Sequence, residues 1–356
     1  MAQTVHEEKV YGRQAWVLEN GTMRVALLRG GGHIAEVRLL SSDPKKSVNP
    51  MRVPHYATIE PYQYEDARHN PIYGDGPHRW LSAGYMGHLL CFPSYGPPSS
   101  DDEVKAGLGS HGEAPIVEWK KLGVDQTADA VTFRYGARLE KTQYVVERAV
   151  TLRKGARSVR VEEWVENLTN WDRAANWMEH ATFGQPFIEP GKTFLDVSAT
   201  RGLLDNAEIN WADGKRRMMP ETPHTGSYTA LLMDPARHEQ FFTMYHPDYR
   251  VLIGYVFPAE GSPWIADWQE NRRSTEKPWD GKVVARGIEF GDTPFAEGLR
   301  KSVERGSLFG KPSYRWINAH ARLKREYTIF LEEIPEGFTG VRDVTMNNGT
   351  PVITRR

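Results

Sequence analysis

A few of the twelve histidines in this 356-residue chain sit where an imidazole could do chemistry. His111 lies in GSHGEAP, between small turn-forming residues, just before an apolar run (Ile116, Val117, Trp119) resumes. Loops carry function more often than cores do, yet this heptapeptide reads equally as a surface histidine capping a turn. His180 lies in NWMEHATFG, a strand-like stretch before a Gly-Gln-Pro turn, either bonded to a core carbonyl or titrating. Glu289 stands among apolar neighbours in VVARGIEF. A carboxylate there pairs with a cation such as Arg286 or is held poised for chemistry, because burial without a partner is costly. DWQENRR (267–273) offers Trp268 to stack on a flat C–H face, with Gln269 and Glu270 to bond hydroxyls. An ordinary strand end fits it as well. His78, His88, His111, His180 and Glu289 together would suit a divalent transition metal such as Zn, Mn or Fe, although no close spacing like HExxH supports a centre.

The elements that must position these groups are strands. Residues 22–28 (TMRVALL) alternate, Gly30-Gly31-Gly32 breaks them, and HIAEVRLL returns as the second arm of a hairpin. The glycine triplet has neither a following helix nor the GxxxxGK[ST] spacing of a phosphate loop. Residues 130–153 give two or three strands, and SVRVEEWVEN alternates after Lys154-Gly155. YTALLMD, QFFTMYH, VLIGYVF, KVVARGIEF and REYTIFLEEI continue the pattern. Helical spacing is fair only in residues 295–310. Many strands, short turns and scarce βα alternation predict an all-β sandwich spanning 1–356 as one domain. Two segments, 41–82 and 91–115, lack the strand pattern yet carry aromatics and histidines. Long loops in a compact domain are usually functional or disordered, and these read as ordered walls around a site.

Bulk composition excludes several classes. The net charge of -1 offers no basic surplus for nucleic acid. Cys91 is the single cysteine, so no intrachain disulfide forms. The N-terminal residues lack the apolar core of a secretory signal, and no apolar run approaches the ~18 residues of a membrane span. A cytoplasmic protein, monomer or homodimer, with a small-molecule ligand is expected. Eleven Trp and fifteen Tyr are many for this length. Most of them pack strands, and some can face sugars. His33, His69, His224 and His246 lie in or beside turns and read as solvated or structural.

Four stretches together resemble the galactose mutarotase-like superfamily, which includes aldose 1-epimerases and, more closely, the hexose-6-phosphate epimerase branch. They are NGTMRVALLRGGGHIAEVRLL; GHLLCFPSYGPP followed by HGEAPIVEW; VVERAVTLRKGARSVRVEEWVENLTN followed by WMEHATFG; and ARGIEFG. Their order spans roughly residues 15 to 335. The resemblance implies a β-supersandwich, large antiparallel sheets packed face to face with a sugar groove. By position it also implies that His111 binds substrate, His180 is the general acid and Glu289 the general base.

Such residues would interconvert sugar anomers. A base takes the proton from the hydroxyl on C1 while an acid protonates the ring oxygen. The ring opens, and reclosure on either face of the carbonyl inverts C1. A carboxylate and an imidazole on opposite walls of a groove suffice, without metal or redox cofactor. One departure stands out. Sugar-phosphate epimerases of this kind carry an arginine just before the "fP" run, and here Tyr85 falls at that place, in GYMGHLLCFP. Bidentate phosphate capture loses its donor, and Arg79 and His88 are the nearest substitutes. That departure keeps two alternatives open: a metal-dependent lyase or isomerase acting on an oxidised sugar through His88, His111, His180 and Glu289, and a non-catalytic carbohydrate-binding module.

Overall fold

The computed structural model describes residues 3–356. Period-2 alternation becomes two large sheets. The first has eleven strands, in the order Thr4–Val10, Arg13–Glu19, Met23–Leu28, Ile34–Leu39, His88–Cys91, Met178–Gly184, Val284–Gly291, Trp264–Asn271, Thr225–Met233, Ala199–Leu204 and Ala207–Asn210. The second has eight, from Phe194–Val197 through Glu239–His246, Val251–Pro258, Arg322–Glu333, Ser158–Asn167, Tyr144–Arg153 and Ala130–Leu139 to Lys120–Gln126. Every ladder in both sheets is antiparallel. This is the all-β sandwich expected from the pattern, in the supersandwich form that the resemblance implies.

The sheets pack face to face because each presents an apolar face to the other. Ala181, Phe183, Ile265, Ile288 and Phe290 of the first share one buried cluster with Val146, Val161, Phe242, Tyr255 and Ile329 of the second. The glycine hairpin forms as expected. Gly31 and Gly32 have φ of 77° and 66°, and a Cβ at Gly32 would lie 2.4 Å from the Trp119 ring. Only glycine fits there.

A polar knot interrupts this apolar layer. Glu179 accepts from Trp177 Nε1 at 3.0 Å and lies 3.1 Å from His88 Nε2. Arg148 and Arg325 reach it from the second sheet at 3.8 and 3.7 Å. Each of these charged groups is fully or nearly fully buried, and the mutual pairing makes that tolerable.

Helix is confined to short pieces. The expected 295–310 helix shrinks to Leu299–Arg305 and stops at Gly306, which has φ 71°. The two long segments contain three more helices, Asp66–Tyr73, Arg79–Gly84 and Asp101–Lys105. Leu81 and Tyr95 from these segments, together with Tyr85, pack on Leu89, Cys91 and Met178, which project from the outer face of the eleven-stranded sheet. That contact holds the segments over the sheet as walls. Cys91 is buried and free. No helix among the described residues is long and apolar enough to cross a membrane.

Candidate functional site

The site starts at a strand pair. Met178–Gly184 and Val284–Gly291 pair antiparallel with His180 directly opposite Glu289. Opposed residues of neighbouring strands share a face, so both side chains emerge side by side. His180 Nε2 lies 2.9 Å from Glu289 Oε1. Alternation sends Glu179, Ala181 and Phe183 into the layer between the sheets and His180 and Thr182 to the outer face. Gly287, two residues before Glu289 on the same face, leaves the room they need. A Cβ there would come within 2.6 Å of Glu289 Oε1, 3.0 Å of Trp268 and 3.2 Å of His180 Cε1.

Above this pair lies a cavity of about 650 Å³, lined by His111, His180, Glu289, Tyr85, Tyr228, Trp268 and Trp279, among others. Its volume falls within the range usual for small-molecule sites. The Trp268 and Trp279 rings meet nearly edge to face, centroids 5.8 Å apart, and form one apolar wall. Tyr73, Gly74, His78, Arg79, Leu81 and Ser82 from the first long segment, with Gly96, Pro97 and His111 from the second, form the opposite side. Both long segments thus line this cavity as ordered walls.

His111 answers the question its loop raises. It has φ 66°, a conformation that non-glycine residues avoid. Its backbone N–H donates to Gly96 O at 2.9 Å, and Gly96 N–H donates to its Nδ1 at 3.2 Å. With Nδ1 accepting, the neutral ring carries its proton on Nε2, which makes it a donor. The flanking glycines permit the approach: a Cβ at Gly109 would strike Trp80 and one at Gly112 would lie 2.4 Å from Phe92 O. The His111 and His180 rings stand 5.1 Å apart between centroids.

Burial dominates the electrostatics of the group. It holds His180 down to about 3, with His88 and Arg52 adding to the same direction. It pushes the Glu289 carboxyl well above the usual range and the His111 ring well below its own. Each shift favours the uncharged form. Together the His180 and Glu289 shifts favour a neutral imidazole beside a protonated carboxyl. His180 Nδ1 lies 2.8 Å from Thr182 Oγ1, which is 2.6 Å from Tyr85 Oη.

Several sequence expectations are corrected here. The imidazole of 180 and the carboxylate of 289 do not face each other across a groove; they touch on its floor. His88 is absent from the cavity. It pairs in register with Ala181 and therefore points between the sheets, toward Glu179 and Tyr255. Substrate contact by His88 is ruled out on that ground, and the metal set His88, His111, His180 and Glu289 does not converge. Gln269 also faces away, donating to Asp267 Oδ2 at 2.9 Å, and Arg286 pairs with Asp267 rather than with Glu289. Glu270 lines the cavity, but its carboxylate is engaged by Ser274 Oγ and by the backbone N–H groups of Arg273 and Ser274. Arg79 stands at the mouth, stacked 3.7 Å from the Trp80 ring centre and 3.3 Å from Asp66.

Sequence reasoning missed Tyr85, Thr182, Tyr228 and Trp279. Tyr85 was legible only as a lost arginine; a cation does come near, since the Arg52 guanidinium lies 4.4 Å from the Tyr85 ring centre. Of the turn histidines, His33 and His69 are buried and bonded to backbone, at Pro115 O and Glu65 N–H respectively. His224 is exposed beside Arg272 O. Buried His246 belongs to a cluster with Glu189 and Asp248, where the Lys192 ammonium already lies 2.8 Å from Glu189 and 3.0 Å from Asp248.

No protein-family model matches the sequence, and no curated protein matches it at the sequence level. The solved structures behave differently. A galactose mutarotase-like protein from Clostridium acetobutylicum superposes with a TM-score of 0.63 at 12% identity, covering 94% of this chain and 99% of that one. A proposed aldose 1-epimerase from Klebsiella pneumoniae gives 0.62 at 15% identity, covering 90% and 79%. A galactose mutarotase-like protein from Lactobacillus casei gives 0.56 at 12%, covering 89% and 100%. The strand order, the two packed sheets and these superpositions agree: the chain has the galactose mutarotase-like fold.

Proposed function

We propose that this protein binds an aldose in the cavity above His180 and Glu289 and interconverts its anomers by acid/base ring opening. The observation that carries the reading is the His180–Glu289 contact of 2.9 Å on the floor of a sugar-sized pocket. A binding module needs hydroxyl partners and a stacking face. It does not need a buried imidazole in contact with a buried carboxyl.

In this reading Glu289 receives the proton of the C1 hydroxyl, His180 exchanges protons with it, and His111 donates from Nε2 to hold the sugar. Trp268 and Trp279 offer the flat apolar wall that a pyranose ring stacks against. The chemistry needs neither metal nor redox cofactor. The charged groups lining the cavity are mixed, Arg79, Arg273 and Lys277 against Asp75, Glu270 and Glu276. That balance favours an uncharged aldose over a sugar phosphate.

Anomer exchange measured by NMR saturation transfer, over free aldoses and their 6-phosphates, tests the proposal. The wild-type protein should accelerate exchange for at least one free aldose. His180→Ala and Glu289→Gln should each lower that rate by roughly 10²–10⁴-fold, the usual contribution of a placed acid or base. Unaltered exchange in both variants would sink the reading.

A further inference from the structure

The cavity is larger than the reaction needs. Its volume of about 650 Å³ lies in the middle of the range that holds drug-sized ligands, and one hexopyranose is only about half of such a ligand. His180 and Glu289, both buried, form the floor. The rest of the lining comes largely from two stretches, residues 73–82 and 270–279. These stretches come together where Lys277 Nζ donates to Pro71 O at 2.8 Å.

The aromatic lining is stepped. Trp268 stands beside the floor, its ring centroid 6.2 Å from that of His180. Trp279 follows 5.8 Å from Trp268, turned by 66°, in the same stretch as the exposed Arg273, Glu276 and Lys277. Two indoles so spaced and so turned offer faces to two successive sugar rings.

The polar lining divides in the same way. Tyr228 and Glu270 are already committed, Tyr228 to Pro294 O at 2.9 Å and Glu270 to Ser274 and to backbone N–H groups. Asp75, His78, Arg273 and Glu276 line the cavity from exposed positions, and their side chains have no hydrogen-bond or ion-pair partner among the described residues. Two come from each stretch. Their charges are of both signs, which suits the hydroxyls of a neutral ligand better than a charged substituent.

We infer that the substrate is the reducing end of a 4-linked oligosaccharide, with the reacting sugar on the floor and the next unit in the mouth. The inference rests on the anomer-interconverting reading of the pocket. Ring geometry sets the linkage. C1 and C4 are opposite corners of a pyranose, so a sugar with C1 at the His180–Glu289 pair directs O4 toward the mouth. O2 is next to C1, and a second unit attached there would meet the floor. The unit in the mouth touches no reacting atom. Its contacts with Trp279, Asp75, His78, Arg273 and Glu276 supply binding that positions C1, which is how remote parts of a substrate raise kcat/KM.

Anomer exchange measured by NMR saturation transfer on free aldoses, and on the 4-linked and 2-linked disaccharides that end in them, tests the inference. Glucose, cellobiose and sophorose make one such set. The kcat/KM for the 4-linked disaccharide should exceed that for its reducing-end aldose by at least about tenfold, the gain from one more aromatic contact and a hydrogen bond. The 2-linked disaccharide should show no gain. Trp279→Ala should raise KM for the 4-linked disaccharide by about two- to tenfold. The double variant Arg273→Ala, Glu276→Gln should act in the same direction, and both should move the free aldose less. A free aldose with kcat/KM equal to or above that of its 4-linked disaccharide overturns the inference and leaves the function intact. A 2-linked disaccharide turned over as well as the 4-linked one also overturns it, as does an equal loss for aldose and disaccharide in Trp279→Ala. Absence of exchange on every sugar overturns both the inference and the reading beneath it.

Discussion

His180 and Glu289 stand directly opposite each other on neighbouring antiparallel strands, Nε2 and Oε1 2.9 Å apart, on the floor of one cavity. Their contact depends on the register between two strands more than a hundred residues apart in the chain. A slip by one residue would turn one of them into the layer between the sheets.

Gly287 keeps that floor open, so Gly287→Ala should damage activity more than folding. The added methyl would press on Glu289 Oε1, Trp268 and His180 together. Overpacking of this kind costs about 1–3 kcal/mol of stability, which a domain of this size tolerates. Exchange kinetics should show kcat down by at least tenfold, while a urea titration shows a single cooperative transition at a modestly lower midpoint. Wild-type kcat in this variant would mean that the pair can be displaced without consequence.

Trp268 is assigned to stacking rather than proton transfer. Trp268→Ala should therefore raise KM by about two- to tenfold, corresponding to the ~0.5–1.5 kcal/mol of ring contact beyond simple area burial. The kcat should change much less. An equal loss in kcat would place the indole in the chemistry instead.

His88 and Glu179 separate structural from functional histidines. Glu179→Ala leaves Arg148, Arg325 and His88 without their shared carboxylate. Breaking one member of a buried ion cluster typically costs about 3–5 kcal/mol, readable in the denaturant midpoint. In His88→Gln, activity per folded molecule should stay near wild type, since the ring never reaches the cavity. A selective loss of activity at full stability would return His88 to the site.

Acid should destabilise the fold before the carboxylates titrate. Burial holds His33 and His88 down to about 3 in the folded chain, against 6.5 when exposed. Below 6.5 the unfolded chain binds protons that the folded chain refuses, so this stability is complete above 6.5 and is lost progressively as pH falls toward 3. Between pH 6.5 and 5.5 each such histidine should cost about 1 kcal/mol. Glu289, raised by burial, works in the opposite direction and loses stability as pH rises. Glu163, raised to about 8 by burial, does the same, so the histidine share is read from a variant: acidification from pH 7.0 to 5.0 should lower the thermal midpoint less, or raise it more, in His33→Gln than in the wild-type protein. An identical pH response in the two would contradict a neutral buried His33.

The sequence by itself determined the class of the fold and most of its strands, because alternation and glycine turns are local signals. The 22–39 hairpin, the long ladders from 130 to 167 and the absence of long helices all followed from spacing within a few residues. The family-like order of short motifs pointed to His111, His180 and Glu289, and the three do share one cavity. What the sequence withheld was facing. Met178–Gly184 and Val284–Gly291 are buried on both faces, so hydrophobicity could not distinguish the core side from the pocket side. Only tertiary register turned His88 and Gln269 away and set His180 against Glu289 instead of across from it. It also placed Tyr85 behind His180 through Thr182. A face is fixed by pairing between distant strands, and no local pattern records that pairing.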